Sequence, residues 1–245
     1  MDTPTAAVSA LVTDLVDANH ILFNQGIVDA FGHISARHPE RPDRFCMARN
    51  VAPGLVTAAD ILEYDVGSGE ALMPDPPRLY QERYIHSEIF KARPDVMAVV
   101  HNHSPAVLPF TIVKGARFKP ACHMCGFLGE GPPLFEIRDS AGPASDLLIR
   151  NRKLGAALAT SLGQERVVLM RGHGCTIVAE NVRIAVYRAI YTEVNARLLL
   201  AALPLGEVET LNAAEAEATR ITNEGQVDRP WNLWKQLAAQ ARLNA

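Results

Sequence analysis

Two apolar runs that end in histidines constrain this chain more than any other feature. The first run, VMAVVHNHS, covers residues 96–104, and the second run, VVLMRGHG, covers residues 167–174. Short continuous runs of this kind, rich in valine and bounded by proline or glycine, predict strands that are buried on both faces of a sheet. The histidines would then lie at the ends of two strands.

The first run carries two histidines on either side of an asparagine. In a strand, side chains two residues apart point to the same side, so His101 and His103 project together and Asn102 faces the other way. A single histidine beside an apolar strand is more often a packed core residue than a ligand. Two imidazoles held side by side repel each other when both are protonated, so this pair favours a neutral state that shares a cation.

The second run offers a third ligand. His173 lies between two glycines in RGHGC, where a turn of the backbone can present its side chain. Three neutral histidines that leave a coordination position open form a Lewis-acid site for one divalent cation per chain. Ligand type alone does not select among zinc, manganese, iron and cobalt, because imidazole binds all four.

Helical and strand patterns alternate through the rest of the chain, which predicts one α/β domain over residues 1–245. No break in composition marks a second domain. Residues 204–245 are largely polar, contain WNLWKQL and predict a C-terminal helical arm that packs on a neighbouring subunit. The predicted helices cover residues 5–25, 79–93, 144–162 and 181–203, and three further predicted strands cover residues 32–37, 44–48 and 61–65.

Charge and cysteine content exclude several classes of partner. The 24 basic and 27 acidic residues are mixed along the chain and give a net charge of -3, so no basic stripe is present that would follow a nucleic acid. The N-terminus is acidic, and no apolar run looks long enough to cross a bilayer, which predicts a cytoplasmic protein without a membrane partner. The four cysteines include a single CxxC, and we expect ordinary reduced, buried thiols.

The histidine segments resemble a known family. HSEIFKARPDVMAVVHNHSPAV and LMRGHGCTIVAENVRIAVYRAIYTEVNARLL closely resemble the class II aldolase/adducin family, and FGHISAR resembles that family's opening turn. The likeness covers roughly residues 10–203. It implies a three-layer α/β/α fold with a largely antiparallel central sheet. It also implies a homotetramer with active sites near the subunit interfaces.

The resemblance assigns roles to particular residues. It implies that His101, His103 and His173 bind the cation, either Mn²⁺ or Zn²⁺, with Fe²⁺ or Co²⁺ as further options. It places the acid/base carboxylate of the family at Glu82 in YQERYIHSE. The alternative for Glu82 is a solvated charge on a helix. His86, one turn further on, is expected to pack or to form hydrogen bonds rather than to be a fourth ligand.

The chain departs from the sugar-phosphate aldolases of this family where those enzymes hold phosphate. His33 replaces an asparagine of the opening turn, and Tyr80 and Gln81 replace paired serines. Arg49 and Asn50 replace a TG-type turn, and an arginine can pair with a carboxylate through two parallel hydrogen bonds. With KPACHMCGFLG, these changes are similar to the branch of pyridine- and benzene-dicarboxylate decarboxylases.

Aldol cleavage and decarboxylation share one electrostatic requirement. Both break a C–C bond and leave its electron pair conjugated to an oxygen, which a cation can stabilise. We therefore predict a metal-dependent, non-oxidative decarboxylase of an ortho-hydroxy aromatic dicarboxylate. The alternatives are a class II aldolase for a small hydroxy-carbonyl or sugar-phosphate substrate, and a non-catalytic adducin-like interaction module. The predicted substrate-binding residues are His33, Arg49, Asn50, His123 and Tyr191.

Overall fold

A mostly antiparallel sheet forms the centre of the fold in the computed structural model, which describes residues 4–243. Within these residues the sheet has seven strands in the order β3-β2-β1-β4-β7-β6-β5, and only the β5–β6 pair is parallel. This arrangement confirms the predicted antiparallel sheet. The strands are β1 (His33–Arg37), β2 (Arg44–Ala48), β3 (Ile61–Asp65), β4 (Ala98–Asn102), β5 (Leu134–Phe135), β6 (Val167–Met170) and β7 (Gly174–Ala179).

Helices cover both faces of this sheet, which confirms the three-layer architecture. Neighbouring residues of β4 face opposite layers: Val100 packs in the core that includes residues of α1, α6 and α8, and Val99 packs in the core that includes residues of α2 and α5. A strand buried on both faces reads as a continuous apolar run. The helices are α1 (Ala6–Asn24), α2 (Arg83–Ala92), α3 (Leu108–Ile112), α4 (Arg138–Ala141), α5 (Arg152–Leu162), α6 (Val182–Ala202), α7 (Ala213–Glu224) and α8 (Asp228–Leu243).

The RGHG segment is a tight hairpin between β6 and β7. Met170 pairs with Gly174 across this hairpin, and β7, which the sequence analysis did not predict, then pairs with β4. Gly174 has φ +159°, and a Cβ there would lie 2.1 Å from the Asn102 carbonyl oxygen. Only glycine lets the backbone of β7 begin so close to β4.

Two predicted helices begin later than expected. The helix predicted over residues 79–93 begins at Arg83, and the one predicted over residues 144–162 begins at Arg152. Asn151 caps the second of these, since its side chain accepts a hydrogen bond from the Leu154 N–H. The residues before Asn151 therefore form an irregular segment, in which Leu147 adopts a left-handed φ of +69°.

The C-terminal tail packs on its own chain. Trp231 and Trp234 are buried in the core shared with α1 and α6, and Lys235 forms an ion pair of 2.6 Å with Asp17 on α1. The two tryptophans therefore contact their own chain, because α8 lies against α1 and α6. The predicted contact of this tail with a neighbouring subunit stays a prediction.

Helix α1 differs from the prediction that no apolar run is long enough to cross a bilayer. By length and composition it is apolar enough to cross a membrane, with a mean hydropathy of 1.3 over an 18-residue window. Its apolar residues Leu15, Ile21 and Leu22 are fully buried in the same core as α6 and α8. Core helices of this kind pass the same test, so the hydropathy of α1 is weak evidence for a membrane span.

Candidate metal centre and active site

Three histidine nitrogens converge at one end of the central strands. The Nε2 atom of His103 lies 3.1 Å from that of His101 and 3.1 Å from that of His173. Nitrogens bound to one zinc ion at about 2.0–2.1 Å in tetrahedral geometry are about 3.3 Å apart. The three imidazoles that the sequence predicted as ligands are thus brought together at a spacing that fits a common cation.

Hydrogen bonds orient two of these rings. His173 Nδ1–H donates to the Leu147 carbonyl over 2.9 Å. The Thr176 hydroxyl donates to the Met170 sulfur, so its oxygen is free to accept from His101 Nδ1–H at 3.2 Å. In both rings the proton is on Nδ1, and the lone pair on Nε2 faces the centre of the site, as metal ligation requires.

Glu82 completes the cluster. It is the residue that precedes α2, it is only 7% exposed, and its Oε1 accepts a hydrogen bond of 3.0 Å from the Ile149 N–H. Its Oε2 lies 3.6 Å from His101 Nε2 and 3.5 Å from His173 Nε2. One ligand atom from each of the four side chains lies within 4.8 Å of the others, so a fully solvated Glu82 is excluded.

Burial and mutual repulsion keep most of these rings neutral. Burial and the neighbouring His173 and His103 hold the pKa of His101 well below its usual value, and burial with His173 lowers the pKa of His103. For His173, burial acts against protonation, but the hydrogen bond and charge of Glu82 outweigh it and raise the pKa. Three imidazoles that are kept largely neutral fit a divalent cation, and Glu82 lies beside them.

His33, predicted as a substrate-binding residue, lies beside the metal ligands. Because β1 pairs with β4, His33 is opposite His101, and the two rings are 5.1 Å apart. His33 Nδ1 lies 2.6 Å from His86 Nε2, and His86 Nδ1 lies 2.6 Å from Ser35 Oγ. His86 is therefore a hydrogen-bonding residue, as expected, and burial lowers its pKa to about 3.

Arg49 and Asn50 follow β2 directly. Arg49 Nε donates to Asp60 Oδ1 over 2.6 Å, and the Arg49 side chain is 41% exposed. The Tyr80 hydroxyl donates to the Val51 carbonyl, and the Tyr80 ring lies 4.8 Å from that of His33. Tyr80 thus contacts both the loop that follows Arg49, at Val51, and the ring of His33.

His123 and Tyr191 belong to a different part of the chain. The His123 carbonyl accepts a hydrogen bond from Asn223 on α7, and the Tyr191 ring lies 6.3 Å from Trp234 on α8. Across residues 4–243, none of the hydrogen bonds or ring contacts of these two residues reaches the histidine cluster. Their role in substrate binding stays a prediction.

Three contributors to the site were missed in the sequence. The Ile149 N–H holds Glu82, the Leu147 carbonyl orients His173, and Ser35 binds His86. The first two lie in the segment predicted as the start of a helix. Asn151 is a helix-capping residue, and a helix begun after it would have left both residues outside the predicted helix. Ser35 lies two residues after His33 on the same strand, and this spacing would have placed both on one face.

The chain is similar to known proteins over most of its length. Residues 13–200 match the model of the class II aldolase and adducin N-terminal domain. The chain is 40% identical to decarboxylase tropJ of Talaromyces stipitatus, over 91% of this chain and 92% of that protein. It is 31% identical to 3,4-dihydroxyphthalate decarboxylase of Arthrobacter keyseri, over 75% of each chain.

A solved structure supports the fold independently of sequence. L-fuculose 1-phosphate aldolase from Glaciozyma antarctica superimposes with a TM-score of 0.76 at 22% identity, covering 98% of this chain and 96% of that one. The resemblance inferred from the two histidine segments and the predicted fold class are both confirmed. The chain belongs to the class II aldolase and adducin N-terminal domain family.

Proposed function

We propose that the protein is a metal-dependent, non-oxidative decarboxylase of an ortho-hydroxy aromatic dicarboxylate. The observation that carries the proposal is the convergence of Glu82 Oε2 on three histidine nitrogens, in a chain that is 40% identical to one decarboxylase over 91% of its length. The three histidines argue against a non-catalytic module, because a three-ligand set that leaves a coordination position open is typical of a catalytic metal site.

His101, His103 and His173 would hold one divalent cation, with Mn²⁺ or Zn²⁺ proposed and Fe²⁺ or Co²⁺ as alternatives. The cation would supply Lewis-acid stabilisation of the negative charge that develops on the substrate oxygen. The protein contributes ring orientation through Leu147 and Thr176, which fixes the Nε2 lone pairs before substrate arrives.

Glu82 is the proposed proton donor. When the bond between the ring and the lost carboxylate breaks, carbon dioxide leaves and the bonding electron pair stays on the ring carbon. A proton transferred from Glu82 Oε2 to that carbon completes the reaction and leaves a carboxylate. Because Oε1 already accepts the Ile149 N–H, Oε2 is the oxygen left to carry the proton.

Arg49 is the proposed partner of the carboxylate that the substrate keeps. Its Nε is occupied by Asp60, which in turn accepts hydrogen bonds from the N–H and hydroxyl of Thr57. Asp60 thereby fixes the guanidinium and leaves the two terminal nitrogens for an oxyanion. Asn50, His123 and Tyr191 as substrate contacts, the homotetramer and the cytoplasmic location remain predictions.

Turnover of a substrate panel tests this function. The metal-loaded protein should release carbon dioxide from ortho-hydroxy benzene or pyridine dicarboxylates, while aldehyde release from hydroxy-carbonyl phosphates should be absent. The matched control is Glu82→Gln, which keeps the side-chain shape without a transferable proton. Aldehyde release without carbon dioxide would replace the decarboxylase with the aldolase alternative.

A further inference from the structure

A buried chain of three polar side chains runs from the interior of the sheet to the edge of the histidine cluster. Ser35 Oγ, both nitrogens of His86 and Nδ1 of His33 are joined by two contacts of 2.6 Å each. Ser35 and His86 are fully buried, and His33 is 5% exposed. None of the three is a member of the four-residue metal cluster.

Only two orders of protons fit these three side chains, because each 2.6 Å contact holds one proton and the neutral, fully buried His86 ring carries only one N–H. In the first order Ser35 donates to His86 Nδ1, His86 Nε2–H donates to His33 Nδ1, and His33 carries its remaining proton on Nε2. In the second order every donor is reversed, and His33 Nε2 is left without a proton.

The hydrogen-bond partners of Ser35 determine which of the two orders is favoured. The second order turns the Ser35 hydroxyl hydrogen away from His86, and within residues 4–243 Ser35 Oγ has no other hydrogen-bond partner. A fully buried hydroxyl hydrogen without an acceptor is costly, whereas the first order leaves every internal donor paired. In the first order, His33 Nε2–H is the one donor of these three side chains without a partner among the described residues. The His33 ring lies 5.1 Å from that of His101.

We infer that Ser35 and His86 are positioning residues that fix His33 as the Nε2–H tautomer, which donates a hydrogen bond to an anionic oxygen of the substrate. The inference rests on the proposed function for the identity of that substrate. His33 acts as a donor and not as an acid, because loss of its proton along the chain would leave a buried alkoxide on Ser35. This arrangement favours a carboxylate or phenolate oxygen next to the metal ligands.

The tautomer can be measured without substrate or metal. Long-range proton–nitrogen NMR of the ¹⁵N-histidine-labelled, metal-free protein distinguishes a protonated from an unprotonated ring nitrogen at each position. We expect His33 to be protonated on Nε2 in the wild type and to show a mixture of both tautomers in Ser35→Ala. A wild-type His33 protonated on Nδ1 would overturn the inference.

A double-mutant cycle tests whether Ser35 acts through His33. Ser35→Ala should lower kcat/KM for the dicarboxylate about tenfold, as expected for a weakened hydrogen bond to a charged group. In a His33→Asn background, the asparagine amide donates a hydrogen bond without help from Ser35 and His86. Ser35→Ala should then have little further effect on kcat/KM. An equal loss in both backgrounds would reduce Ser35 to a structural role. Absence of any turnover would refute the proposed function, while NMR still decides the tautomer.

Discussion

Gly174→Ala tests how closely β7 must approach β4 to assemble the histidine cluster. The added Cβ would lie 2.1 Å from the Asn102 carbonyl oxygen and 3.1 Å from the His103 Cα. Both atoms belong to the backbone, so relief requires the strands to separate by about 1 Å or more. That movement displaces His173 from His103, because the two residues lie on either side of this contact.

The magnitude follows from the kind of atoms that clash. Overpacking costs about 1–3 kcal/mol, and a backbone clash belongs at the upper end, so we expect the free energy of unfolding to fall by about 3 kcal/mol. For a chain of this size the Tm should then fall by about 6–12 °C. We also expect metal affinity to fall about tenfold to a hundredfold, as when the groups supporting a ligand are removed.

Gly206→Ala is the matched control. Gly206 has φ +146°, close to the +159° of Gly174, but within residues 4–243 no atom beyond its two chain neighbours lies within 4 Å of an added Cβ. Both variants carry the backbone cost of a side chain at positive φ, and only Gly174→Ala carries the clash. Calorimetry and metal titration of the two variants should therefore differ. Equal Tm values together with unchanged metal affinity in Gly174→Ala would refute the proposed close approach.

Three further predictions concern single side chains. His103→Ala should abolish stoichiometric metal binding, measured by elemental analysis, and full retention of metal and activity would reject the site. Glu82→Gln should keep the fold but lose most turnover, and a near wild-type rate would end its role as proton donor. Hydrogen bonding from Cys125 lowers the pKa of Cys122 to about 6. Its alkylation should accelerate as pH rises through that value and outpace that of buried Cys46, whereas equal rates by mass spectrometry would contradict this.

The apolar runs made β4 and β6 predictable, whereas β5 and β7 were not predicted. The local spacing made the ligand pair predictable. His101 and His103 project together because β4 alternates its side chains, which follows from two residues of separation alone. The position of His33 next to His101 does not follow from local spacing, since it depends on the register of β1 on β4. The sequence identified His33 through a resemblance and not through that register.

The irregular segment before α5 shows why part of the site escaped prediction. The predicted helix began at residue 144 and so included Leu147 and Ile149, whereas the observed helix begins at Arg152. The structure instead uses this stretch to present a carbonyl to His173 and an N–H to Glu82. An α-helix would have used most of these backbone groups internally, so the irregular conformation serves the site.

Arg49→Lys tests the proposed substrate class, a dicarboxylate, and not membership of the family. The guanidinium of Arg49 donates its Nε to Asp60 and has two terminal nitrogens left for a carboxylate, whereas a lysine ammonium keeps the charge but loses the planar fork. Loss of one charge-assisted hydrogen bond costs about 1.5–3 kcal/mol, so kcat/KM for a dicarboxylate should fall about tenfold to a hundredfold. A monocarboxylate analogue without the docked group should already be a poor substrate and should be nearly insensitive to the change. An equal loss for both compounds would make Arg49 a structural partner of Asp60, because only a residue that contacts the retained carboxylate can tell the two substrates apart.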